Sequence, residues 1–230
     1  QSLRELKERE SGPVVLPWTL HEDAYVRAAE LRALRELRLP ESFDAALSNL
    51  DHADPAVRRE AVGVLGWLKR AEALPRLARL AGEDDHAEVR RAATGALGFT
   101  VHDVVLPALL GALGDSAWQV REEAAHTLGK LRLGAAGAAL IDALEDSYWQ
   151  VRIHAARSLG KLKDKRAAVP LLAALTHPIS NLRKEAALAL GEIGDAAAGP
   201  ALELALTDAD PEVRKAVRIA LAQIALREAG

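Results

Sequence analysis

The chain has 230 residues, of which half are apolar and 3% aromatic, with neither cysteine nor methionine and a net charge of -3. The absence of cysteine excludes a disulfide framework, a zinc–thiolate site and a cysteine nucleophile, and the charge supplies no overall positive field for a polyanion. The apolar runs are too short to span a bilayer, so we expect a soluble, cytoplasmic protein with no membrane partner and a core of Ala, Leu and Val in closely spaced helices.

A Val-Arg or Leu-Arg pair recurs at intervals of 31 or 32 residues along the whole chain. The pairs begin at Val26, Val57, Val89, Val120, Val151, Leu182 and Val213. A sustained period of this length predicts a stack of similar units rather than one globular core. We therefore expect a single array over 1–230 without an internal boundary, in which 1–20 form an irregular N-terminal cap. The predicted repeats lie near 21–50, 51–81, 82–113, 114–144, 145–175, 176–206 and 207–230.

Each unit is predicted to contain two helices, as the repeat at 145–175 illustrates. Its first helix presents an apolar row of Val151, Ala155, Leu159 and Leu162, at the spacing of an amphipathic helix. Asp146 or Ser147 is suited to cap its start. After a turn at 163–165, a second helix over 167–175 is predicted to bury Val169, Leu171, Leu172 and Leu175. Gly160 follows Leu159, as glycine follows leucine in most units, and it allows either a close approach of helices or a left-handed helix end.

The pattern Asp-x-x-x-x-Val-Arg, then Ala-Ala, then Leu-Gly, resembles the HEAT-like repeats of the phycobilin lyase family over residues 21–227. The resemblance implies an all-α fold, a right-handed α-α superhelix (solenoid) of about seven helical hairpin repeats. It also implies that the Val-Arg helices line the concave surface. Function stays open, because repeats of this kind occur in scaffolds, in lyases and in a metal-dependent hydroxylase.

An acidic residue stands five positions before several of the repeated valines, at Asp84, Asp115, Asp146 and Asp208. A repeated aspartate with a repeated arginine predicts a ladder of ion pairs between repeats rather than a row of phosphate-binding arginines. Histidine takes the place of aspartate at His21, His52 and His177, which favours a role for these residues at the helix start and not as ligands.

If the resemblance holds, the groove is lined by positions of the Val-Arg helix that the repeat leaves variable. In the two central repeats the candidate binding residues are Trp118, Gln119, Glu122, Glu123, His126, Lys130, Trp149, Gln150, Ile153, His154, Arg157 and Lys161. Trp118 and Trp149 would be neighbouring rungs and are typical of a recognition hot spot. The alternative is that each indole seals the joint between two repeats.

Glu123, His126, His154 and Arg157 form a second constellation that could perform acid–base chemistry or bind a metal ion. Mixed charges on adjacent repeat helices are more typical of a salt-bridge network. The metal-dependent hydroxylase carries His-Glu pairs at the second and third positions after the repeated apolar residue, and none stands there in this chain. We therefore expect no catalytic residue, no metal and no cofactor.

Charges of both signs alternate along the predicted groove, so no duplex nucleic acid is expected as a partner. A small anionic ligand or an acidic peptide stays possible as a partner, because the predicted groove contains a cluster of Lys130, Arg157 and Lys161. The sequence favours a monomeric, non-enzymatic scaffold that binds a protein or peptide on its concave surface. The alternative is a phycobilin lyase-like subunit or a tetrapyrrole chaperone, with Trp118 and Trp149 holding the pigment.

Overall fold

The computed structural model describes residues 12–228, and all regular structure in that range is helical. The helices that carry the repeated Val-Arg or Leu-Arg pair, called here the Val-Arg helices, are α2 (Ala24–Leu37), α4 (Pro55–Leu68), α6 (Ala87–Ala96), α8 (Trp118–Leu131), α10 (Trp149–Leu162), α12 (Ser180–Ile193) and α14 (Pro211–Glu228). The intervening helices are α3 (Phe43–Ser48), α5 (Leu74–Glu83), α7 (Val105–Leu113), α9 (Gly137–Asp142), α11 (Ala168–Ala174) and α13 (Gly199–Ala205).

The described part of the predicted N-terminal cap consists of one short helix, α1 (Gly12–Val15), and a 3-10 helix at Leu16–Leu20. The first eleven residues of that predicted cap lie outside the described range. Between 12 and 228, no helix combines the length and the apolar character needed to cross a membrane.

Contacts divide the chain into two compact units, Gln1–Ala112 and Leu113–Gly230. Each unit contains the same alternation of Val-Arg and intervening helices, which is the architecture of an α-solenoid. The absence of an internal boundary stays a prediction. All twelve candidate binding residues fall in the second unit.

In the second unit the Val-Arg helices α8, α10, α12 and α14 pack directly against one another in chain order. The intervening helices α9, α11 and α13 pack mainly against the Val-Arg helix that follows each of them. The Val-Arg helices of this unit therefore form one continuous row. That this row lies on the concave side stays a prediction from the resemblance.

The apolar row predicted for α10 is confirmed at Val151, Ala155 and Leu159, which are fully buried. The row predicted for α11 is wrong at Val169, which is 76% exposed. Leu171 is buried. Residues two positions apart on an α-helix are separated by about 200° around its axis, so Val169 and Leu171 cannot share one buried face.

Asp146 does not cap α10 directly, and neither does Ser147, because the helix begins at Trp149 and Tyr148 is its N-cap residue. Asp146 instead accepts a hydrogen bond from the backbone N–H of Tyr148, at 2.8 Å, and so holds the turn that leads into the helix. The predicted cap is thus wrong: the Asp146 carboxylate binds the backbone N–H of the N-cap residue Tyr148 and not an N–H of the first helical turn.

The glycine of the Leu-Gly pair serves close approach. A Cβ atom built on Gly160 would lie 2.8 Å from the Cα atom of Ala189 on α12, and one built on Gly191 would lie 2.6 Å from the Cα atom of Ala220 on α14. The left-handed helix ends occur three residues further on, as at Lys163 with φ 54°. Of the two roles open from the sequence, these glycines have the first.

Candidate functional site

The ladder of ion pairs between repeats is confirmed, and it fixes how successive Val-Arg helices stack. In the second unit Arg121 donates two hydrogen bonds to the carboxylate of Asp146, at 2.6 and 2.9 Å, and a third to the backbone oxygen of Asp115 at 2.8 Å. Arg183 pairs with Asp208 in the same way, at 2.7 and 2.8 Å. Burial alone would raise the pKa of Asp146, but the hydrogen bonds from Arg121 and from the Tyr148 N–H outweigh it and lower that pKa. These arginines are therefore committed to the scaffold.

The histidines at the aspartate position take over the turn contact, as predicted. The Nδ1 atom of His52 accepts the N–H of Asp54 at 3.0 Å, and the Nδ1 atom of His177 accepts the N–H of Ile179 at 3.1 Å. His21 makes the same contact with the N–H of Asp23, at 3.0 Å. A ring nitrogen occupied in this way is not free to bind a ligand.

The aromatic residues of the central repeats are arranged differently from the simple pair of rungs expected. Trp118 stacks on Tyr148, with ring centroids 5.5 Å apart and planes inclined by 15°. The guanidinium of Arg121 lies 5.7 Å from the centre of the same Tyr148 ring. Trp118 therefore belongs to the joint between two repeats, whereas Trp149 is 42% exposed and Tyr148 beside it is 44% exposed.

His126 and His154 meet edge to face on neighbouring helices, with ring centroids 5.4 Å apart, and the Nε2 atom of His154 lies 3.4 Å from a carboxylate oxygen of Glu122. Burial, and after it the nearby charge of Arg157, together lower the pKa of His154 to about 4. His154 is accordingly neutral at pH 7, so its contact with Glu122 is not an ion pair. The His154 Nδ1 atom is buried and has no hydrogen-bond partner.

Arg157 is not available to a ligand as a free cation. Its guanidinium donates to both carboxylate oxygens of the buried Glu185 on α12, at 2.8 and 3.1 Å. This pairing links α10 to α12 and favours the network interpretation over acid–base catalysis. Within 12–228, no group of three His, Cys, Asp or Glu side chains is arranged to hold a metal ion.

Ile153 is only 8% exposed and offers a ligand little area, so its place among the groove residues is wrong. Gln119, Glu123 and Gln150 are partly exposed, and Lys130 is exposed. Tyr148 was missed by the sequence analysis, because its position just before the helix belongs to the turn and not to the helical periodicity. We call the side of α8 and α10 that carries the remaining candidate residues the central surface. It consists of Trp118, Gln119, Glu122, Glu123, His126, Lys130, Tyr148, Trp149, Gln150, His154 and Lys161.

A second feature adjoins the C-terminal ends of the Val-Arg helices. A depression of about 420 Å³ is lined by Arg132, Lys161, Lys163, Glu192, Gln223, Leu226 and Arg227. We expected from the sequence that Lys161 would form a cationic cluster with Lys130 and Arg157, but Arg157 is paired with Glu185. The cations that line the depression with Lys161 are Arg132, Lys163 and Arg227.

The model of the HEAT repeats family matches residues 12–98, 83–148 and 137–222, and the chain belongs to this family. Comparison with curated proteins finds no match. Among solved structures, the complex of CpcE and CpcF of phycocyanin lyase from Nostoc sp. PCC7120 is similar, at 22% identity and a TM-score of 0.61, over 93% of this chain and 94% of that one. An engineered protein is similar at 22% identity and a TM-score of 0.65, over 93% of this chain and 68% of its own. At these identities the two likenesses establish the fold.

Proposed function

We propose that this protein is a non-enzymatic scaffold that binds a protein or peptide through the central surface. The observation that carries the proposal is the pair of adjacent exposed rings, Tyr148 and Trp149, at the start of α10. Large aromatic side chains of this kind supply much contact area with little conformational entropy to lose, and they dominate the energetics of many protein interfaces. Polar side chains border the rings, as in the rim of such an interface.

The scaffold around these rings is already ordered. The carboxylate of Asp146 holds the N–H of Tyr148 and the guanidinium of Arg121, so the turn that presents both rings is fixed between two repeats. A ligand would therefore lose little affinity to ordering of the turn. Catalysis finds less support, because titratable side chains of α8, α10 and α12 are engaged with one another, as in the contacts of His154 with Glu122 and of Arg157 with Glu185.

The test compares Trp149→Ala with Val169→Ala, since both remove an exposed apolar side chain of the same repeat, the first from the central surface and the second from α11. Each variant and the wild-type protein are used to capture partners from lysate of the source cells, and thermal unfolding verifies that both variants fold. We expect a partner that the wild type and Val169→Ala retain and Trp149→Ala loses. Equal recovery by all three proteins would overturn the proposal.

A lyase-like role is the competing function, and the likeness to the phycocyanin lyase complex favours it. It would require the central surface to hold a bilin beside Trp149. Adding a bilin and recording its visible absorbance tests this directly. A spectral change in the wild type that disappears in Trp149→Ala would replace the scaffold proposal, whereas an unchanged spectrum agrees with it.

A further inference from the structure

The depression at the ends of α8, α10 and α14 contains cations that form no ion pair with a carboxylate of the described side chains. Among the described residues, no carboxylate oxygen lies within 4.0 Å of the charged nitrogens of Arg132, Lys161 or Lys163. Arg227 also lines the depression, where it donates hydrogen bonds to the backbone oxygens of Ile193 and Glu192, at 2.7 Å each. Among the side chains that the structure describes, four cations thus line the depression together with one carboxylate, that of Glu192.

Two of these cations stand where the backbone favours glycine. Arg132 and Lys163 follow the last residues of α8 and α10 with φ of 53° and 54°, in the left-handed region, whereas Gly194 takes the same place after α12 with φ 71°. A side chain in this conformation is less favourable than glycine. The negative end of the helix dipole offsets part of this cost for a basic side chain, as it does at Arg38 and Lys69 in the first unit.

The first unit shows what a compensated version of the same position looks like. Arg38 stands at the position of Arg132, and its guanidinium lies 4.9 Å from the ring centre of Trp67 in the next repeat. In the second unit the residue that corresponds to Trp67 in the repeat after Arg132 is Lys161. An attractive cation–aromatic contact is thus replaced by two cations, which repel each other unless an anion joins them.

We propose that this depression binds an acidic peptide segment, whose carboxylates pair with Arg132, Lys161 and Lys163. The inference rests on the proposed role as a protein-binding scaffold, and not on the central surface, since it names the chemical class of a segment that the second unit would recognise. Leu226, 76% exposed, offers an apolar contact at the rim for a peptide side chain. A nucleic acid fits less well, because its backbone requires a longer run of uncompensated cations than this depression supplies.

The probe is a fluorescently labelled peptide in which Glu and Gly alternate, and binding is followed by anisotropy at increasing salt. We expect the wild-type protein to bind it and to weaken as salt rises. Lys161→Gln should reduce the affinity about two- to fivefold, as loss of one partly screened charge pair implies. Lys165→Gln is the matched control, because Lys165 is exposed, belongs to the same repeat and lies outside the depression.

Lys163→Gly separates binding from folding. Glycine suits the left-handed backbone at this position, so the Tm should stay equal or rise by about 3 °C while the affinity for the Glu-Gly peptide falls. Unchanged affinity in both Lys161→Gln and Lys163→Gly would overturn the proposal, as would tighter binding of a single-stranded DNA or of inorganic phosphate than of the peptide.

The two proposals fail in different measurements. Trp149 does not line the depression, so Trp149→Ala should bind the Glu-Gly peptide as the wild type does. If Trp149→Ala retains every natural partner but the cation variants lose the peptide, the central surface is wrong and the acidic-segment site stands. If the cation variants bind the peptide normally, the acidic-segment site is wrong whatever Trp149→Ala does.

Discussion

Gly160 allows α10 and α12 to approach closely, and replacing it with alanine should separate them. The added methyl would lie 2.8 Å from the Cα atom and 3.0 Å from the Cβ atom of Ala189, both on α12. Ordinary contacts between such carbon atoms are about 3.5–4.0 Å. The backbone of α12 cannot turn away as a flexible side chain would, so the helices must shift by several tenths of an ångström along their shared face.

Two opposing effects set the magnitude. Alanine is the better helix residue and stabilises a helix interior by about 1 kcal/mol relative to glycine. Overpacking of a closed interface destabilises by about 1–3 kcal/mol, and the shift loosens the contacts of the rest of α10 with α12 as well. We therefore expect Gly160→Ala to lower the free energy of unfolding by a net of up to about 2 kcal/mol.

Gly199→Ala is the control, because Gly199 begins α13 and a Cβ atom there would meet nothing within 4 Å. This variant should be neutral or stabilised by up to about 1 kcal/mol. Urea unfolding followed by circular dichroism measures both variants against the wild type. If Gly160→Ala proves as stable as Gly199→Ala, the close approach of α10 and α12 is not the reason for glycine at this position.

Two further predictions concern charged and titratable groups. Asp146→Ala should lower the free energy of unfolding at pH 7 by about 2–3 kcal/mol in urea unfolding, because it leaves the partly buried guanidinium of Arg121 without its carboxylate. Glu145→Ala, at the exposed neighbouring position, should stay within about 0.5 kcal/mol of the wild type. The contribution of Asp146 to the free energy of unfolding should disappear as the pH falls through the lowered pKa of its carboxyl group. The pKa of His154 is about 4 in the folded chain and near 6.5 in the unfolded chain. As the pH is lowered, the unfolded chain therefore takes up a proton before the folded chain does, and the free energy of unfolding decreases between these two pKa values. Relative to His154→Gln, the wild type should lose about 2 kcal/mol between pH 7 and pH 5 in the same assay, and parallel curves for the two proteins would show that His154 titrates normally.

The repeat architecture was predictable because it depends on local periodicity. The interval of 31 or 32 residues, the buried row through Val151 and Leu159, and the pairing of Arg121 with Asp146 all follow from residue spacing, and each agrees with the structure. The error at Val169 shows the limit: in a helix of only two turns, several apolar rows are compatible with the sequence, and packing against the following Val-Arg helix selects one.

The candidate site was less predictable, because partners in neighbouring repeats decide which side chains stay available. The sequence predicts Arg157 as a cation of the groove, whereas in the structure its guanidinium is paired with the Glu185 carboxylate. Tyr148 lies in a turn, outside the helical pattern, and yet it stacks on Trp118. The cations at Arg132 and Lys163 stand at left-handed helix ends, where sequence reasoning looks for glycine and so does not seek a binding residue.

The central claim is that the natural partner lies on the central surface, and site-specific photo-cross-linking tests it most directly. A photoreactive phenylalanine analogue is placed at Trp149 in one protein and at the exposed Val169 on α11 in another, and each is irradiated in lysate of the source cells. We predict a discrete cross-linked partner from position 149 and none from position 169. The same partner from position 169 alone, or with equal yield from both positions, would contradict the account.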